Sequence, residues 1–350
     1  MRDAPDPRRH IHVESWLDVT NIDGAVGAFP LIDGSVTGKA MPDRTGDYVL
    51  DATVPHEWRG VDLVPRQPGD WFSCFGQEAQ VRWELRAGSD SWTVRSTRFI
   101  LEDREVDEAI VVSGHGLLSR TWGRKRPNAR QWRAALARDV LGSVLAQNRV
   151  PLRVDSSMPK DELPFLWTQG TDDWQAVLDM LEAVSGILRE DEWGAVLTGQ
   201  PPAITEPVVR LTDGDAGTIV RLPRSFRRTD ITNHVVVRGT DSFTQQDFNA
   251  EARHREGPLD PEGPYGYVTE EINNDAITRL AQAQLVATNT LVHRARYREM
   301  LRVETVTDWR LELDDPVEIR KGADVWWGRI TAISMPVSGQ GTMTLEVGTE

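Results

Sequence analysis

Cysteine is nearly absent: of 350 residues, only Cys74 carries a thiol. One cysteine excludes an intrachain disulfide framework and a multi-cysteine zinc site. Its aromatic setting, Trp71-Phe72-Ser73-Cys74-Phe75, favours an inert buried thiol. Long hydrophobic runs are also missing, and no apolar stretch approaches the ~18 residues of a membrane span. The segment Met1 to His10 lacks the apolar core of a secretory signal, so none is expected. Positive charge is in deficit. Forty Lys and Arg against 54 Asp and Glu leave a formal charge of -14, with a pI near 5.1. Such a chain is a poor candidate for phosphate-held nucleic-acid binding. The most basic tract, Arg120 to Arg133, reads as a solvated loop leading into a helix.

Catalytic signatures are scarce too. His56-Glu57 has no second histidine at the metalloprotease spacing. There is no Gly-x-Ser-x-Gly elbow and no phosphate-cradling glycine loop. His115 in Gly114-His115-Gly116 reads as a turn residue after a strand. The acidic runs Glu190-Asp191-Glu192 and Asp213-Gly214-Asp215 could serve a glycosidase or bind calcium, but solvated turns explain them more simply. No catalytic residue, cofactor or metal is therefore assigned. Tryptophan is the residue in excess, 13 against 4 Tyr. Core packing is the plain reading, with interface anchors and sugar-stacking platforms as the functional ones.

The chain reads as mainly β, with an α+β middle. Residues 1–12 form an arm. From 13 to 122, short alternating runs separated by turn clusters predict a first small β-barrel. Residues 123–222 form the middle domain. There a helix from about Asn128 to Gln147, capped by Asn128, precedes a strand at Pro151–Val154. A second helix spans 172–186, capped by Asp172 and ended by Gly186, and a hairpin follows over Ile187–Leu197. Residues 223–300 read as strand (Asn233–Gly239), loop and helix (about Asn273 to Arg296). Residues 301–350 predict a second small β-barrel.

A shift of 234 positions overlays the two β-regions without gaps. Glu84, Arg86, Gly88, Asp90 and Trp92 fall on Glu318, Arg320, Gly322, Asp324 and Trp326; Arg95 and Thr97 fall on Arg329 and Thr331. Further on, Gly114 falls on Gly348. Each copy reads strand, Gly-x-Asp turn, Trp-bearing strand. Internal duplication is a fold-level signal, and the first five pairs, Glu84 to Trp92 with Glu318 to Trp326, are the candidate repeat and interface positions. Barrel rims are expected to make the chain-to-chain contacts.

Several stretches, in order, carry a resemblance. They are Asp33-Gly34-Ser35-Val36, Phe75-Gly76-Gln77-Glu78, Thr97-Arg98-Phe99-Ile100-Leu101-Glu102 and Val111-Val112-Ser113-Gly114-His115-Gly116. The Trp174 helix, the strand Asn233 to Gly239 and the Gly263-Pro264-Tyr265-Gly266 loop follow, then the terminal β-region. Together they resemble the tail hub (baseplate hub) proteins of tailed phages, especially minor tail proteins of long non-contractile-tailed actinobacteriophages. One departure is His115, where such proteins tend to carry an acidic residue. The resemblance implies a structural, non-enzymatic homotrimer in the virion, assembled in the bacterial cytoplasm. Two barrels per chain would give a pseudo-sixfold ring joining a sixfold tail tube or distal tail protein to a threefold tip. Its expected partners are copies of itself, a distal tail protein or tube hexamer, a tape measure protein and tip or central-fibre proteins. DNA would pass through the lumen unbound, past a trimer carrying three times the charge of -14. The alternatives are a tail-associated cell-wall glycoside hydrolase and a Trp-based carbohydrate-binding receptor module.

Overall fold

The computed structural model describes residues 3–156, 158, 163–164, 166–201, 203–215, 217–225, 231–241, 244–295, 300–338 and 341–349. The protein is mainly β, 47% strand and 13% helix. Its largest element is a 14-stranded sheet drawing on both ends of the chain.

The N-terminal half of that sheet follows from strict alternation. In the strand Glu78–Ala87, Ala79, Val81, Trp83, Leu85 and Ala87 point inward, while the residues between them are half-buried or exposed. This strand pairs antiparallel with Asp90–Val106 on one side and His12–Thr20 on the other. Asp90–Val106 then pairs with Ile110–Gly116, which pairs with Gly46–Val54, which pairs with Asp33–Ala40. Leu17, Leu50, Phe72, Trp83, Phe99 and Leu101 fill the core beneath. His115 lies inside the strand Ile110–Gly116, not in a turn after it. The flanking Gly114 looks like turn chemistry, yet its absent side chain serves close packing: a Cβ there would meet the Ile100 carbonyl at 2.1 Å.

The C-terminal half is built from Pro316–Lys321, Asp324–Pro336, Thr342–Thr349 and Met300–Val306, paired in that order. Val303, Val317, Ile319, Ile330, Leu345 and Val347 form its core. Residues between 209 and 225 also enter this sheet. Val209–Thr212 runs parallel to Pro316–Lys321, and Ile219–Arg221 and Arg224–Ser225 run antiparallel to Met300–Val306.

The middle region packs two helices, Ala137–Gln147 and Asp173–Ala183, against a three-stranded sheet of Leu152–Val154, Ala195–Thr198 and Ile187–Glu190. Asp172 caps the second helix, its carboxylate accepting from the Trp174 and Gln175 amides at 2.9 and 3.1 Å. At its end the Gly186 and Ser185 amides donate to the Leu181 and Glu182 carbonyls, a Schellman closure with Ser185 at φ 49°. The first helix starts at Ala137 with Leu136 as its N-cap, not at Asn128. The reason is tertiary: Arg130–Arg133 is a strand paired with Leu166–Gln169, and the Trp132 indole donates to Gln169 at 3.1 Å. The basic tract is correspondingly tied down. Arg120 donates to Glu78 at 2.7 Å, Arg126 pairs with buried Asp173, and Arg130 stacks 3.9 Å over Trp132.

The remaining unit places His234–Thr240 between Asp247–Arg253 and Thr269–Asn273, covered by the helix Leu280–Ala295. The third helix thus begins seven residues later than its small-residue periodicity predicts. Asn273 ends a strand parallel to His234–Thr240, and Asn274 instead turns the chain, accepting from the Ala276 amide at 2.9 Å. The predicted end at Arg296 lies outside the described residues.

Candidate assembly interface

The ten repeat positions fall on two hairpins of matching register. Ala87 faces Asp90 and Leu85 faces Trp92 in the first; Lys321 faces Asp324 and Ile319 faces Trp326 in the second. Each loop has two residues, Gly88-Ser89 and Gly322-Ala323. Gly88 and Gly322 sit at φ 64° and 61°, while Ser89 and Ala323 keep ordinary negative φ. That is the turn with glycine at its first central position, whose twist matches the flanking strands. Arg95 faces Arg82, and at the shifted positions Arg329 faces Pro316. A register break follows on each long strand, at Ser96–Thr97 against the hairpin partner in one copy and at Thr331 against Thr342–Thr349 in the other.

The match extends beyond the hairpins. In both halves a long second hairpin strand continues into a third, the third pairs with a fourth, and the fourth with a fifth. The fifth strands are Asp33–Ala40 and the Ile219–Ser225 stretch. Thr37 faces Val49 and Ala40 faces Gly46; Arg221 faces Glu304 and Arg224 faces Leu301. A step of three along one strand matches a step of three along its partner in both halves. The chain also visits the five strands in the same order in each half. The Gly114–Gly348 match is the exception. Gly114 faces Leu101, whereas Gly348 faces Arg329, the counterpart of Arg95. Those two glycines therefore occupy different places in the repeat.

Side chains differ more than backbones. Glu84 lies opposite Glu14 and pairs with Arg82, which also holds Asp18 at 2.8 Å. Glu318 is buried, lies opposite Arg210 on the parallel strand, and pairs with Arg320 and, at 3.7 Å, with Arg210. Arg86, Arg320, Asp90 and Asp324 are exposed. Asp90 meets Arg9 of the arm at 3.8 Å. Trp92 and Trp326 are half-buried against the cores of their own halves.

The two halves meet edge to edge. Ala332–Pro336, the end of the long C-terminal strand, pairs antiparallel with Ser35–Lys39. The buried Trp83 indole donates to the Val337 carbonyl at 3.1 Å, and the Val337 amide donates to the Gly34 carbonyl at 3.0 Å. The middle region clamps this junction. Arg189 donates to Asp314 at 2.8 Å, and the Leu188 amide donates to the Arg44 carbonyl at 2.9 Å. Beside it, Glu190 accepts from the Leu117 and Leu118 amides at 2.9 and 2.6 Å and from the Thr97 hydroxyl at 3.0 Å. Full burial pushes its carboxyl up to about 7, outweighing those donors. A Cβ on Gly116 would lie 2.4 Å from this carboxylate, so glycine opens the space it occupies.

Sequence reasoning missed both the junction and Glu190. The junction joins strands about 300 residues apart and leaves no local mark. Glu190 sat in an acidic run read as a solvated turn. Its neighbours do behave that way: Asp191 accepts from the Trp193 amide at 2.8 Å and pairs with Arg153. In the second run, Asp213 accepts from the Gly322 amide at 3.3 Å. Among the described residues, no group of three or more His, Cys, Asp or Glu is placed to hold a metal ion. Cys74 is half-buried and burial raises its thiol. Trp83, Trp167 and Trp309 are core residues, whereas Trp193 and Trp122 are 57% and 39% exposed. A cavity of about 220 Å³ lies where Arg44, the helix Asp173–Ala183 and the helix Leu280–Ala295 meet. Arg44 donates there to Thr290, and burial lowers its guanidinium.

No protein-family model matches the chain, and no curated protein matches it in sequence. Solved structures do share its fold along nearly the whole length. A tail protein from Neisseria meningitidis superposes with a TM-score of 0.64 at 12% identity, covering 96% of each chain. The 43 kDa tail protein of prophage MuSo2 from Shewanella oneidensis gives 0.61 at 15%, covering 96% of this chain and 98% of that one. The prophage tail protein gp18 from Listeria monocytogenes gives 0.56 at 9%, covering 95% and 94%. The chain therefore has the fold of these prophage tail proteins. Nothing in these likenesses is particular to phages of actinobacteria.

Proposed function

We propose that this protein is a structural subunit of a phage tail tip: a hub whose three copies form a pseudo-sixfold ring. The ring matches a sixfold tube or distal tail protein on one face and a threefold tip on the other, and leaves a channel for DNA. The observation that carries this reading is the repeat of one five-strand unit within each chain. A trimer can meet a hexamer without mismatch when every chain offers two similar surfaces. The ten hairpin residues from Glu84 to Trp92 and from Glu318 to Trp326 are then candidates for those paired surfaces. The likeness to tail proteins supports the setting, a virion tail, and a role without catalysis. The charge of -14 per chain suits a channel that DNA crosses without sticking. Class averages of the purified protein test the reading. A ring of six similar lobes with threefold symmetry is expected; two-lobed single particles would contradict it, and so would a lumen lined mainly by Arg and Lys.

A further inference from the structure

The internal repeat leaves one strand pairing unmatched. Within the chain, the fifth strand of the first unit, Asp33–Ala40, uses its outer edge to pair with the end of the long strand of the second unit. The second unit has the same fifth strand, Ile219–Arg221 continued by Arg224–Ser225. Its inner edge pairs with Met300–Val306. Among the described residues, no strand pairs with its outer edge.

The first unit has the complementary vacancy. Its long strand, Asp90–Val106, runs four residues further than the second unit's, as the 234-position shift sets Val106 beyond Pro336. The hairpin partner Glu78–Ala87 ends opposite Ile100, and the Leu101 amide donates to the Gln77 carbonyl. From Asp103 to Val106 the strand pairs only on its other side, with Ile110–Ser113, and at the register break before it the Glu102 carboxylate meets the His115 ring at 2.9 Å. The Arg104 amide is occupied by the neighbouring Asp103 carboxylate at 2.8 Å, a local substitute for a missing cross-strand carbonyl. Unpaired edges of this kind are templates for another strand.

We infer that these two edges pair with each other between copies: Ile219–Ser225 of one chain adds antiparallel to Glu102–Val106 of the next. The contact is of the same kind as the strand pairing that joins the two units within a chain, displaced four residues along the long strand, because the hairpin partner Glu78–Ala87 already occupies Arg98–Ile100. It is head-to-tail, so it propagates around a closed ring. Charge favours it. Glu102, Asp103 and Glu105 stand on one edge with a single arginine, and Arg221 with no carboxylate stands on the Ile219–Leu222 stretch. Val220 and Val106 are exposed, 59% and 42%, and gain cover in the pairing. This inference rests on the ring reading above.

The test is disulfide trapping in the full-length protein. Glu105→Cys and Asp103→Cys are each combined with Val220→Cys or Arg221→Cys, all exposed sites, with Cys74 left in place. Paired strands bring Cα atoms within the ~4.4–6.8 Å that a disulfide spans. At least one double variant is expected to convert most of the monomer band to covalent dimer and trimer under mild oxidation. Each single variant and the parent should stay monomeric on the same non-reducing gel. A native trimer with no cross-link from any of the four combinations overturns the strand pairing and leaves the ring standing. A native monomer overturns both.

Discussion

The hairpins Glu78–Ala87/Asp90–Val106 and Pro316–Lys321/Asp324–Pro336 share a turn and the register beside it, and differ in what they bury. The shift that sets Gly88 on Gly322 sets Trp83 on Val317. Both side chains are fully buried, yet one is an indole and the other an isopropyl group. The reason lies outside the hairpin. Trp83 reaches the Val337 carbonyl across the junction between the units, whereas Val317 has only its own core to fill. Glu84 and Glu318 differ in the same way, one beside a glutamate on an antiparallel neighbour, the other beside Arg210 on a parallel one. Backbone geometry is what the repeat preserves, and side chains answer to whatever packs on each copy.

That contrast can be broken most forcefully at Trp83. Trp83→Ala removes a large core side chain and the indole's tie to the second unit, at an expected cost of about 3–5 kcal/mol. Val317→Ala should cost about 1–3 kcal/mol, since fewer methyl groups are lost and no junction contact goes with them. Urea midpoints for the two variants measure the difference; equal losses would mean that the junction contact adds nothing.

Glu190 offers the next largest effect. Its native pKa is raised from 4.5 to about 7, so between those values the folded state holds a proton that the unfolded state releases. Its contribution is present in full below about pH 4.5 and is lost as pH rises through 7, by at most about 3 kcal/mol. Glu190→Gln should flatten the fall in stability between pH 5 and pH 8. An unchanged pH profile would mean that the Leu117, Leu118 and Thr97 donors already stabilise the carboxylate.

Smaller effects separate the hairpins at their glutamates. Glu318→Ala leaves Arg210 and Arg320 without their buried partner, for an expected loss of about 1–2 kcal/mol. Glu84→Ala relieves a like-charge pair with Glu14 but gives up Arg82, which keeps Asp18, and should change stability by less than about 0.5 kcal/mol. Thermal unfolding of both variants in low salt distinguishes them. The smallest effect tests what the copies share. Gly88→Ala and Gly322→Ala both force a side chain into left-handed backbone and should each cost about 1 kcal/mol. Penalties that differ by more than that amount would break the equivalence of the two turns.

The hairpins were legible in the sequence because their signals are local: alternating apolar residues on either side of Gly-x-Asp. Asp172 announced its helix for the same reason. The start of the first helix was misread because Arg130–Arg133 is held as a strand by Leu166–Gln169, a partner more than thirty positions away. The pairing of the second unit's fifth strand was hidden further. That strand's two short pieces, Ile219–Arg221 and Arg224–Ser225, are separated by Pro223, the first carries a register break, and their partner Met300–Val306 follows only after another folded unit. The edge-to-edge junction and the buried Glu190 are products of tertiary contact alone, so no spacing rule points to them.

The central claim is that a chain built from two equivalent units assembles in threes. The mass of the native full-length protein in dilute buffer tests it most directly. Mass photometry is expected to give a single species at three times the 39.3 kDa chain mass, whereas a species at one chain mass across the concentration range would contradict it.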